Sequence, residues 1–423
     1  MPTVITSTVK PDGTGDYLTL QAWIAAKAEN LITADHIQRA VVYSGGNLGD
    51  GGRLLIWEGG GCYSDFEHYW EIVVADGHEH QGAWDTDYAY LSATGNYAIH
   101  LMNNVLHIRG LQVQSTSHIA CYAPNIGAGG HASGFIADQC ILRSSAGYAI
   151  AGDGVGGQTH KFTHCQIVST ATGSICVYLR GTGSVAEFYN CTLIEPTASG
   201  SVGFYVYDNA TITSNNNYIH AVDCYQNAGA GGTLNQGAND ATSTAEATTE
   251  ALRSVPFDVT QFVSVTGDYD LHIIPGSTLR ATGADLSASI GSYDLEGDTR
   301  PEGTSWDIGA DEMTVTVTSV DAASGPEVGG TAVTVYGTNF TAGSGVTFGG
   351  AAATDVTVVS ATEITCTTPV GAVGTADVVV TGSGGEAGTL AAGYEYEQTV
   401  TYPALVDLRF RSSPLKFRRR RIR

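Results

Sequence analysis

Short apolar runs return at near-constant intervals between residues 105 and 220. HIRGLQVQS (107–115), IADQCILRS (136–144), FTHCQIVST (162–170), FYNCTLIEP (188–196) and SNNNYIHAV (214–222) are copies of one pattern. Aligned on Leu111, Cys140, Cys165, Cys191 and Asn217, they are spaced by 29, 25, 26 and 26 residues. A second apolar run follows each of the first four: CYAP from Cys121, YAIAGD, ICVYLRG and GFYVYDN. Two or three short strands per repeat, parted by Gly, Ser and Asn turns, cannot bury an apolar face alone. Stacked rung upon rung they enclose a continuous core, so the pattern predicts a parallel β-helix.

In such a stack, equivalent positions of adjacent rungs lie about 4.8 Å apart. Cys140, Cys165 and Cys191 then form an inward ladder of small apolar side chains. Asn215, Asn216 and Asn217 read as a turn-side amide ladder. Unpaired strand edges at the ends of a β-helix need covering. LTLQAWIAAKAEN (18–30) is the best helical stretch, with Leu20, Trp23, Ile24 and Ala28 on one face, and is predicted to cap the N-terminal end. Residues 228–250, rich in Ala, Gly, Thr and Asn, read as a loop or an irregular rung.

The opening PDGTGDYLTLQAWIAA (11–26) resembles that of many right-handed parallel β-helix proteins, among them pectin methylesterases and pectate-lyase-like proteins. DYDLHIIPGSTLRATGADL (268–286) and LEGDTRPEGTSWDIGADE (295–312) resemble the closing segment of bacterial and phage β-helix repeat proteins. The resemblance implies a right-handed parallel β-helix over 1–312. It says little about activity, because such folds host lyases, esterases, hydrolases and adhesins.

From 313 the texture changes to alternating strands with a turn every 8–12 residues, the mark of a β-sandwich. Gly329-Gly330-Thr331, Gly337-Thr338-Asn339-Phe340, Phe348-Gly349-Gly350 and Cys366-Thr367-Thr368-Pro369 make 313–398 resemble the IPT/TIG immunoglobulin-like family. The resemblance implies a spacer or binding module. The expected fold class is therefore all-β: a right-handed parallel β-helix, then an immunoglobulin-like sandwich, then a tail over 399–423.

Charge changes the picture in one place. The net charge is −23, but residues 401–423 hold eight of the 19 Lys and Arg and one acid. Residues 1–400 thus carry 11 basic against 41 acidic side chains, a charge of −30. Such a body repels nucleic acid. The tail cations Arg409, Arg411, Lys416, Arg418, Arg419, Arg420, Arg421 and Arg423 alternate in part with apolar residues. Three readings stand: a solvated tail, an anchor on an acidic surface such as a neighbouring subunit, and a nucleic-acid contact. No charged segment followed by an apolar one opens the chain, so no secretory signal is expected, although a processed form would read the same. No run has the apolar length of a membrane span. The eight cysteines show no zinc-like spacing, and neither metal nor cofactor is expected.

The search for chemistry yields one constellation. Three residues past Ile150, Val177 and Tyr205 stand Asp153, Arg180 and Asp208, stacked on one edge of successive rungs. Two strand spacings would part the acids by about 10 Å, near the upper end of the roughly 6.5–9.5 Å of inverting glycosidases. An arginine between them is the wrong partner for a general acid, which must hold a proton. A solvent-facing ion-pair ladder is the better account, with sugar or cation binding as its functional alternative, aided by Tyr178 and Tyr207. Trp84, Tyr88, Tyr90 and Tyr205 are further candidates for stacking on sugars. His78, Glu79, His80, Trp84, Asp85, Asp87 and Tyr88 form a metal-capable loop, a weak signal. The GTVDFIFG-like and LGRPW-like stretches of pectin methylesterases are missing, and no pectate-lyase motif supplies calcium-binding acids with an arginine base.

These observations favour a non-enzymatic binding or structural protein on a virus particle: a bacteriophage capsid decoration, head fibre or tail-associated adhesin. Expected partners are capsid or tail proteins, further copies of the chain in a trimer, and a host surface glycan. The alternatives are a polysaccharide-degrading enzyme and an extracellular bacterial adhesin.

Overall fold

The computed structural model describes residues 1–57, 63–125, 134–154, 158–196, 199–229, 231–237, 239–244 and 254–399. The basic tail and Cys62 lie outside them. The first part is a parallel β-helix with three faces. Its first face stacks Thr3–Val9, His36–Val42, Trp70–Val74, Val105–Arg109, Gly134–Asp138, Thr159–Thr163, Val185–Tyr189, Thr211–Asn215 and Thr233–Gln236. The second stacks Tyr90–Ala93, Gln112–Ser115, Ile141–Ser144, Gln166–Ser169, Thr192–Ile194, Tyr218–His220 and Ala241–Thr242. The third stacks Leu54–Trp57, Tyr97–Met102, Ile119–Asn125, Ile150–Gly154, Ile175–Arg180, Val202–Tyr207 and Asp223–Asn227. Thr233–Gln236 and Ala241–Thr242 fall in the stretch expected to be irregular, and both join the stack.

The repeat is written in the corner between the first and second faces. One residue there turns left-handed in each rung: Gly110 (φ 71°), Gln139 (53°), His164 (50°), Asn190 (51°) and Asn216 (57°). The next residue points inward, which is why Leu111, Cys140, Cys165 and Cys191 are fully buried. The thiols also serve the backbone. Sγ of Cys140, Cys165 and Cys191 donates to the carbonyl two residues back, at 3.1, 3.0 and 3.4 Å. The seven described cysteines are all buried. At the next corner Asn217 replaces the thiol. Its Oδ1 accepts from the Cys191 amide at 2.8 Å, and its Nδ2 donates to the Phe188 carbonyl at 2.9 Å.

Helix Leu20–Lys27 packs Leu20, Trp23 and Ile24 into the first rungs, with Trp23 edge-on to Trp70 at 5.4 Å. Thr19 caps its start, its Oγ1 accepting from the Ala22 amide. The helix is shorter than 18–30. Ala28, expected on the buried face, is exposed because the backbone has already left helical geometry there (ψ 107°). Asn30 starts a second short helix, Leu31–Ala34.

Residues 254–313 lie along the outside of the second face. Outward Val168, Ile194, Tyr218 and Ala241 share a core with Val255, Phe262, Leu271, Ile273, Leu279 and Ile308. Polar clamps fix this cover. Arg143 bonds Asp268 at 3.2 Å, Tyr293 donates to Asp138 at 2.9 Å, and the Asn216 amide donates to the Ala284 carbonyl at 2.7 Å. The cover explains why every residue of Ile141–Ser144, Gln166–Ser169 and Thr192–Ile194 is buried, polar ones included. Within the cover, buried Arg300 pairs with Glu312 at 3.1 Å and caps the carbonyls of Asp307 and Gly309.

Two sheets follow. Thr316–Asp321, Ala332–Thr338, Glu363–Thr367 and Thr354–Ser360 form an antiparallel one. The second combines Ser324–Pro326, Ala387–Glu397, Gly374–Thr381, Gly345–Phe348 and Ala351–Ala352. Cys366 is core here, 4% exposed. The sandwich is seated on the cover by a buried Arg280–Glu386 pair and by Thr304 donating to the Gly384 carbonyl at 3.0 Å.

Candidate functional site on the third face

Side chains alternate inward and outward along each strand. On the third face the inward set is Leu54, Ile56, Ile99, Leu101, Cys121, Ala123, Ile150, Val177, Leu179, Phe204 and Val206, all within the core. The outward set includes a line of tyrosines. Tyr122 is followed in register by Ala151, Tyr178 and Tyr205. Tyr148 stacks on Tyr178 at 5.2 Å, and Tyr178 stacks on Tyr205 at 5.4 Å. Tyr97 stacks on Tyr122 at 4.5 Å, with His100 beside both. The result is a strip of half-exposed phenols crossing successive rungs. Partial burial, Tyr97 and Asp153 push the Tyr122 hydroxyl up to about 12, so it stays a neutral donor.

Beside the strip lie the residues singled out above. Arg180 stands between two acids, its Nε 2.9 Å from Asp208 and 3.8 Å from Asp153. All three are well exposed, at 46, 42 and 39%. The expected ladder differs in register. Val177 pairs with Phe204, not Tyr205, so Arg180 faces Tyr207 and Asp208 falls one residue beyond. Asp208 reaches back because it turns left-handed at φ 51°. Both carboxylates meet the same nitrogen, so their oxygens stand closer than the roughly 10 Å of two strand spacings. The guanidinium also lies 5.7 Å from the Tyr207 ring. Tyr178 and Tyr207 thus lie beside the ion pairs. The tail cations lie outside the described residues.

Tyr97, Tyr122 and Tyr148 were not singled out from the sequence. Aligning the second apolar runs by their inward residues would have placed Tyr122 and Tyr178 on one line. Trp84, by contrast, is engaged elsewhere, 5.5 Å from the Arg143 guanidinium and edge-on to Tyr90. Tyr88 and Tyr90 belong to the second-face side. Of the metal-capable loop, His80 is buried and bonds the Gln139 carbonyl at 2.9 Å, and His78 bonds Ser44. Both rings thus have partners within the chain.

Residues 315–402 match the IPT/TIG domain model. The C-terminal sandwich is an IPT/TIG domain. Comparison with curated protein sequences gives no match. Among solved structures, two auxiliary nutrient binding proteins are similar over a fifth of the chain. The one from Bacteroides ovatus is 29% identical with a TM-score of 0.18, covering 20% of this chain and 21% of that one. The one from Bacteroides thetaiotaomicron is 21% identical with a TM-score of 0.17, covering 20% and 21%. A putative phosphatase from the latter organism is 26% identical with a TM-score of 0.17, covering 21% and 18%. The chain therefore spans about a fifth of the length of these proteins.

Proposed function

We propose that the chain is a non-enzymatic binding protein of a virus particle surface, which holds a host glycan along the third face of its β-helix. The tyrosine strip carries this reading. Phenols present an apolar face with a polar tip, the combination that suits a partner both ringed and hydroxylated. Arg180, Asp153 and Asp208 add fixed donors and acceptors at one end of the strip. A glycan-cleaving role draws no support from these acids, since a guanidinium between them opposes the protonated form a general acid needs.

The placement on a virion rests on a rigid stacked body, an IPT/TIG module seated against it, and the charge separation in the chain. The basic tail is the anchor, its cations matched to an acidic neighbour in a trimer or to capsid or tail proteins. Purified particles from the source culture test this by mass spectrometry: stoichiometric recovery supports it, and absence from particles refutes it. For the glycan, host surface polysaccharide is titrated against wild type, Tyr178→Ala and Tyr205→Ala. Each variant is expected to lose about tenfold or more in affinity, as an aromatic anchor does. Equal binding by all three refutes the strip, and release of new reducing ends refutes the non-enzymatic reading.

A further inference from the structure

His272, Glu296 and Asp311 lie in three separate stretches of the second-face cover, yet their ligand atoms gather within 4.8 Å of one another. His272 Nε2 is 3.6 Å from Glu296 Oε1. Its Nδ1 is held by Asp270 at 2.5 Å, an arrangement that fixes the ring and leaves Nε2 facing the two acids. Asp311 is 5% exposed and accepts from the Ile273 amide through one oxygen. Glu296 is the telling residue. Both its carboxylate oxygens are shut off from solvent, and neither accepts a hydrogen bond. Burying a carboxylate so costs several kcal/mol unless a counter-charge meets it.

The surroundings are built to hold the group in place. The Asp294 carboxylate accepts from the amides of Glu296, Gly297 and Asp298 at 3.0, 2.9 and 2.8 Å, which fixes the turn bearing Glu296. Gly82, at φ 68°, closes the other side. A Cβ there would collide with Glu296 Oε1 and come within 2.6 Å of His272 Nε2. Gln81, Met313, Thr314 and Asn339 border the adjoining cavity of about 440 Å³, which leaves an entry path and room for water ligands.

We propose that His272, Glu296 and Asp311 bind one divalent transition-metal ion of the zinc class. One imidazole and two carboxylates are a donor set for zinc or manganese, where calcium prefers oxygen alone. The ion neutralises Glu296 and ties three stretches of the cover to each other. It sits where the chain enters the IPT/TIG domain, so its role is structural. The bland alternative is that a proton shared among His272 and the acids supplies the positive charge.

Metal analysis of the full chain, purified without added metal, then stripped with chelator and retitrated with zinc, manganese or calcium chloride, tests this. About one zinc-class ion per chain is expected, with a rise in melting temperature that calcium does not reproduce. Glu296→Gln and Asp311→Asn are expected to weaken zinc binding about 100-fold or more. Asp270→Asn, which touches only the far side of the ring, should weaken it about 10–100-fold. Circular dichroism shows which variants remain folded, and any one folded variant suffices for the comparison. No bound ion and no zinc-dependent shift in wild type would overturn the proposal and leave the shared proton as the answer. Undiminished zinc binding by a folded Glu296→Gln or Asp311→Asn would overturn it too, by placing the ion elsewhere, for example on cysteines.

Discussion

Acidification should loosen the β-helix through His160, and a single substitution isolates the effect. His160 is buried on the first face, its ring roughly parallel to Phe135 and Phe162 at 6.1 and 6.5 Å. Its Nδ1 accepts from the Phe135 amide, which leaves the proton on Nε2, 3.3 Å from Gln158 Oε1. Burial pushes the imidazole down to about 4 from its ordinary 6.5. The unfolded chain then binds the proton first, so the stability present above pH 6.5 is lost as the pH falls towards 4. Between pH 7 and pH 5 this amounts to about 2 kcal/mol from the one residue. In His160→Gln an amide keeps an acceptor for Phe135 without titrating. That variant should be less stable at pH 7 by about 1–3 kcal/mol, and its gap to wild type should shrink by about 2 kcal/mol at pH 5. Urea unfolding followed by tryptophan fluorescence measures both, because all five tryptophans lie before the IPT/TIG domain. A gap that is the same at pH 7 and pH 5 would show that His160 does not titrate as its burial demands.

Other substitutions test the rungs and the cap. Asn217→Ala leaves the Cys191 amide and the Phe188 carbonyl without their partner in a dry corner, at a cost of about 2–5 kcal/mol. Urea unfolding reads it, and a loss below about 1 kcal/mol would mean that the corner repairs itself with water. Trp23→Ala empties the space beside Trp70 under the cap helix, for about 3–5 kcal/mol. Hydrogen exchange should then show the first rungs opening before the rest. Uniform exchange along the stack would refute a local role for the cap.

The rungs were legible because each corner repeats one physical demand. A left-handed residue is followed by an inward, fully buried one, and Gly110-Leu111, Gln139-Cys140, His164-Cys165 and Asn190-Cys191 repeat that demand in sequence. The IPT/TIG domain was legible for a similar reason: its glycine turns sit at fixed places between alternating strands. The cover over 254–313 was not. It has little regular structure, and its partners on the β-helix lie up to 155 residues away. The slip at Phe204 was hidden because one apolar run offers two registers, and the inward choice depends on the rung below. His272, Glu296 and Asp311 share no motif spacing, so their meeting is a product of the cover's path. The loop with His78 and His80 advertised metal chemistry in its composition. Its contribution to the cluster is instead Gly82, a residue chosen for what it lacks.

The division of labour among the three faces limits where a partner can bind. The second face is buried outside as well as inside from Ile141–Ser144 to Thr192–Ile194, and the chain covers it with its own residues 254–313. The first face bears cross-rung charge pairs such as Arg39 with Glu71, whose side chains remain partly solvated and complete each other. Exposed pairs of that kind need no ligand and contribute little. The third face alternates a closed apolar interior with outward tyrosines whose rings stack on one another, a pattern that neither burial nor charge pairing explains. Valine or threonine would serve a bare strand surface as well. Tyrosines kept half-exposed over several rungs instead provide wide, rigid contact area with polar tips at little entropic cost. It is on this outward line of tyrosines that the proposed glycan site rests.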